Sequence, residues 1–92
     1  RIAGLWKGIS YNGDEVVEIT KKGDRFVFNL KNTKKVKNGN SECIITEEKA
    51  DGKSGTIRFV SGAFSGTSLK YNLTGNDKRL RLSWGTSYTR LK

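Results

Sequence analysis

Apolar side chains recur at every second position along most of this chain. Val17 and Ile19, then Phe26, Phe28 and Leu30, then Ile57 and Phe59, then Leu69, Tyr71 and Leu73, then Leu80, Leu82 and Trp84 occupy one parity, while Glu18, Lys70, Asn72, Arg79, Arg81 and Ser83 occupy the other. Successive side chains of a strand point to opposite faces, so this pattern predicts strands with one apolar and one wet face. A helical period of 3.6 is absent. Strands are predicted over 5–11, 15–21, 25–31, 42–48, 55–61, 68–74, 78–84 and 87–92. Between them lie residues that tolerate positive φ: Asn12-Gly13, suited to a type I′ hairpin, then Gly23, Asp51-Gly52 and Gly75-Asn76-Asp77. Such punctuation joins neighbours into an antiparallel meander. One apolar face along eight strands must be hidden, either in two packed sheets or by rolling closed. Eight is about the strand number at which a barrel interior is filled by side chains or holds one small ligand. The expected fold is therefore all-β, an antiparallel up-and-down meander of about eight strands closed into a small barrel, one domain over residues 1–92.

Composition removes much chemistry from consideration. The chain holds no His, Pro or Met and a single Cys, which excludes a disulfide framework, a His-containing metal site and any His-based triad. Cys43, in a strand-like run, reads as a small buried apolar side chain rather than a reactive thiol. Of the carboxylates, most fall at turns or on the wet face. None sits in an apolar context suited to general-acid work, and Asp14-Glu15 or Glu47-Glu48 with Asp51 lacks the ligand pattern of a calcium loop. Asn72-Leu73-Thr74 is a formal glycosylation sequon inside a predicted strand and reads as chance. No enzyme, metal or cofactor is expected.

Charge adds a partner class. Lys+Arg number 18 against 9 Asp+Glu, a formal net charge of +9. Lys31, Lys34, Lys35 and Lys37 crowd the polar stretch 31–41, and Lys78, Arg79, Arg81, Arg90 and Lys92 load the C-terminal end against Asp77 alone. Such a field attracts acidic partners or an anionic surface. The lysines are not interleaved with aromatics and no helix is available to enter a groove, so sequence-specific nucleic-acid reading is not expected. No run approaches the ~18 consecutive apolar residues of a transmembrane segment.

Gly4-Leu5-Trp6, followed by Gly8, stands at the start, and Tyr88-Thr89-Arg90 at the end. This pairing resembles the lipocalin and wider calycin group, in which a Gly-x-Trp opens the first strand and a late Arg packs across the indole. The Trp-x-Gly opening, the turn Thr20-Lys-Lys-Gly-Asp24 and the Tyr-x-Arg ending are also similar to small lipocalin-like domains of bacterial envelope lipoproteins. The resemblance implies that Trp6 and Arg90 close the barrel end. It also implies a non-enzymatic binding domain in the cell envelope or secreted, with an upstream signal or lipid anchor removed; a cytoplasmic location stays open. A small apolar or anionic ligand would meet the interior positions Phe26, Phe28, Leu30, Ile57, Phe59, Leu69, Tyr71 and Leu73. The alternative is an interaction or inhibitor module that presents the 31–41 loop or an outer sheet face to an acidic protein. Whether the interior is hollow or packed is open at this stage.

Overall fold

The computed structural model describes residues 2–10, 13–32, 39–62 and 64–91. Its strands are β1 (Gly4–Ser10), β2 (Gly13–Lys22), β3 (Arg25–Asn32), β4 (Gly39–Glu48), β5 (Ser54–Phe59), β6 (Ser68–Thr74), β7 (Arg79–Leu82) and β8 (Ser87–Arg90). Each pairs antiparallel with the next. Strand β8 returns to β1 through Trp6↔Arg90, Lys7↔Thr89 and Gly8↔Tyr88, so the meander is a closed barrel. Among the described residues there is no helix. No helix is thus long and apolar enough to cross a membrane.

Local chemistry explains the boundaries. The β2–β3 hairpin is a two-residue turn between the paired Lys22 and Arg25, and Gly23 takes φ 65° at its first central position. Gly75, Asn76 and Asp77 take φ 61°, 58° and 64° in succession, a left-handed run open only to Gly and small polar residues without large strain. Two expectations on extent are corrected. The strand expected over 78–84 ends at Leu82, because residues 83–86 turn back with Gly85 at φ 103°. The strand expected over 87–92 ends at Arg90. The expected turn at Asn12 and the lysines at 34, 35 and 37 lie outside the described residues. A bulge between Ile45 and Glu47 inserts Thr46 and shifts the parity of β4, so Glu48 rather than Glu47 stands opposite Gly55.

The barrel interior is filled. Trp6, Cys43, Ile57 and Phe59 are 0% exposed, and Val17, Phe28, Leu80 and Tyr88 are 1% exposed. Toward the end carrying the 83–86 turn, Phe28 meets Phe59 edge-on at 5.2 Å, and Phe64 and Trp84 pack on Phe59 at 5.3 and 6.5 Å. Two tyrosine rings cross the interior over glycines. A Cβ on Gly8 would stand 2.8 Å from Tyr88 Cδ1, and one on Gly55 would meet the Tyr71 ring and the Glu47 carbonyl. Gly8 pairs directly with Tyr88, and Gly55 with Tyr71, so each aromatic covers the bare backbone of its partner.

At the opposite end the two chain-end motifs close the barrel where β8 meets β1. The Arg90 guanidinium carbon lies 4.2 Å from the Trp6 ring centroid. Arg90 donates from Nε to the Asp77 carbonyl and from Nη1 to the Ala3 carbonyl, both at 2.8 Å. Trp6 donates its indole N–H to the Ile2 carbonyl at 2.9 Å, which draws Ile2 into the core. A planar cation with a fork of donors can cover an aromatic face and satisfy two carbonyls together, which an ammonium cannot.

Candidate functional site

Between the β2–β3 and β4–β5 turns, at the Trp6–Arg90 end, the barrel opens into a cleft of about 580 Å³. Its apolar floor is Ile2, Phe26 and Ile45, and its rim carries Lys21, Asp24 and Glu48 with Gly23 and Gly52. Tyr71 reaches it from β6. Each element has a reason to be there. Ile2 is pulled in by the indole of Trp6, Glu48 is turned inward by the β4 bulge, and Tyr71 is admitted by the missing Cβ of Gly55.

Tyr71 is the informative group. Its side chain is nearly buried, at 3% exposure, yet its hydroxyl has no hydrogen-bond partner among the described residues. Burial, with the nearby Glu48 charge second, raises its pKa above the usual tyrosine value, so the phenol stays protonated and available as a donor. The rim holds two carboxylates against one ammonium. Within a strongly basic protein this mouth is locally acidic to neutral, which favours a neutral or amine-bearing amphipathic guest over an anionic one.

A second interior polar group occurs nearer the other end. Tyr88 donates its hydroxyl to Glu15 Oε2 at 2.6 Å. Burial, then this hydrogen bond and the Glu15 charge, raise the Tyr88 pKa strongly, while neighbouring Trp84 and Thr86 temper the rise. The Trp84 indole N–H is buried without reaching hydrogen-bond geometry to any group among the described residues. Most carboxylates were expected at turns or on the wet face, and Glu15 is an exception. It shares the parity of Val17 and Ile19, and a buried phenol compensates its inward position.

Of the eight interior positions expected to meet a ligand, Phe26 and Tyr71 line the cleft. Phe28, Ile57, Phe59, Leu69 and Leu73 are packed in the core, and Leu30 lies half-buried against it. Lys31 is exposed at the end of β3. Ile2, Ile45, Glu48 and the Lys21-Asp24 rim were not expected from the sequence to meet a ligand. The parity of Glu48 was hidden by the bulge, and Ile2 precedes any strand pattern. Cys43 is fully buried, and burial pushes its thiol up to about 11. Among the described residues no group of three or more acidic or Cys side chains could hold a metal.

The fold and its end cleft define a small closed antiparallel β-barrel compatible with a lipocalin-like architecture. No protein family, curated protein or solved structure matches the chain.

Proposed function

We propose that the domain is a non-enzymatic, lipocalin-like binding domain that holds one small amphipathic molecule in the end cleft. The observation that carries this reading is the Tyr71 hydroxyl, a donor with no acceptor among the described residues, set in a cleft of about 580 Å³. A polar group set on the apolar wall of a concave site is what orients a bound guest. The cleft is an end site rather than a deep calyx, because the barrel interior beyond Phe26 is occupied by side chains. Support for binding rather than chemistry comes from the same phenol, which burial keeps protonated and so makes a donor instead of a nucleophile.

The test is a titration of ¹⁵N-labelled protein with a set of neutral amphipathic alcohols and aromatic amines, followed by amide shifts. Perturbations clustered at residues 21–26, 45–52 and 71, weakened about 5- to 10-fold by Tyr71→Phe as the loss of one hydrogen bond predicts, support the reading. Shifts centred elsewhere on the barrel overturn it.

A further inference from the structure

The outward positions of the barrel divide by charge. On β2–β4 they mix signs: Asp14, Glu18 and Glu42 stand among Lys22, Arg25 and Lys31, and Arg25 pairs with Glu42 at 3.4 Å. On β5–β8 and β1 the described outward side chains include no carboxylate at all. Arg58, Lys70, Arg79, Arg81 and Lys7 are exposed there, and none has an ion-pair partner among the described residues. Between them lie hydroxyls and an amide. Asn72 is registered between Ser54 and Arg81, and Thr89 between Arg79 and Lys7.

This face is also grooved. A groove of about 360 Å³ includes Lys70, Asn72, Arg81 and Ser83 in its walls, and one of about 540 Å³ includes Lys7, Ser87 and Thr89. Both are bordered by Gly85, and together they give a shallow channel flanked by Arg79, which lines neither groove but pairs with Thr89 of the second. Arg79 and Arg81 are spaced ~7 Å along one strand, with Lys70 on the diagonal from Arg81 at ~7–8 Å. The cations therefore recur at an interval suited to a chain bearing regularly repeated anions.

We propose that this channel binds an acidic polysaccharide, its sulfate or carboxylate groups on Lys70, Arg81, Arg79 and Lys7 and its ring hydroxyls on Asn72, Ser87 and Thr89. The mixture of cations with short hydroxyl and amide side chains is what selects the occupant. Single-stranded nucleic acid binds through base stacking, and the described outward positions of these strands present no aromatic ring. A peptide adding as a strand needs a free sheet edge, which closure removes. A lipid surface needs an apolar anchor, and the channel offers only the half-exposed Leu91.

Heparin and chemically desulfated heparin are the probes, measured by titration calorimetry at several salt concentrations. Heparin is expected to bind with steep salt dependence, and desulfated heparin far more weakly. The variant Lys70→Gln/Arg79→Gln/Arg81→Gln should lose at least about tenfold in affinity, as three lost exposed ion pairs imply. The matched variant Lys22→Gln/Lys31→Gln/Lys49→Gln, with the same change in net charge, should stay within about twofold. Asn72→Ala/Thr89→Ala should weaken binding several-fold while leaving the salt slope unchanged. Circular dichroism on every variant confirms folding, and all the substituted side chains are exposed. Equal losses from the two triple variants would reject the face. Polyglutamate, a single-stranded oligonucleotide or phosphatidylglycerol vesicles binding as tightly as heparin would reject the occupant. The cleft is untouched by these substitutions, so its own titration stands or falls separately.

Discussion

Replacing Arg90 by Ala is expected to destabilise the domain by about 3 kcal/mol. The figure has two parts. The guanidinium over the Trp6 ring at 4.2 Å, half-shielded from water, contributes about 1 kcal/mol. Its two 2.8 Å bonds to the Asp77 and Ala3 carbonyls contribute about 1 kcal/mol each, below the usual range for charged donors because water partly re-solvates the carbonyls. For a domain of this size each kcal/mol moves Tm by about 4–8 °C, so the variant should melt roughly 12–24 °C lower. Urea unfolding followed by tryptophan fluorescence would show a lower midpoint at unchanged slope. Arg90→Lys keeps the charge without the fork and should recover less than half. Trp6→Leu, combined with Arg90→Ala in a double-mutant cycle, isolates the ring–cation contact, and a coupling of about 1 kcal/mol is expected. A single-variant effect below about 0.5 kcal/mol, or strict additivity, would refute the claim that this pair closes the barrel where β8 meets β1.

Further expectations follow from the interior. Tyr71→Phe should leave stability within about 0.5 kcal/mol of wild type, since its hydroxyl has no partner among the described residues, whereas Tyr88→Phe should cost about 1–3 kcal/mol by abandoning Glu15; chemical denaturation of the two variants decides this. Gly8→Ala should cost about 1–3 kcal/mol or block folding, because its Cβ would lie 2.7 Å from the Ser87 carbonyl oxygen and 2.8 Å from the Tyr88 ring. Stability should decline at alkaline pH. The unfolded Cys43 thiol loses its proton near 9.0 and the folded one near 11, so the unfolded state binds fewer protons in that window and unfolding is favoured as pH rises. Tyr71 and Tyr88, also raised, add to the loss above 10. Cys43→Ala should flatten the lower part of the urea-midpoint profile between pH 9 and 10; an unchanged profile would count against a buried thiol.

The strand order and closure were readable from parity and turn residues. Leu69, Tyr71 and Leu73 alternate without interruption, and their strand has the expected bounds, 68–74. The two end motifs were readable because a large ring and a guanidinium each need a partner. Other features were hidden for physical reasons. Glu15 has core parity, but its charge argued against an inward position until the Tyr88 hydroxyl was in place. Trp84 continues the alternation of Leu80 and Leu82, yet the positive φ of Gly85 ends the strand beneath it. Phe64 and Ile2 join the core from outside any strand, where periodicity carries no signal. The cleft is assembled from two turns, a bulge and the N-terminal segment, so it depends on closure and not on any contiguous motif. The basic channel is likewise a property of register, since Lys7 and Arg79 are brought into one row only through Thr89.

The central claim, a filled barrel that binds at one end, is tested most directly by xenon-dependent NMR shifts of ¹³C-labelled protein. Xenon enters dry apolar space wherever it exists. With the interior filled, shifts should be confined to the Phe26, Ile45 and Ile2 side chains, with Phe28, Ile57 and Phe59 unmoved. Shifts centred on Phe28, Ile57 and Phe59 would reveal a hollow interior and contradict it.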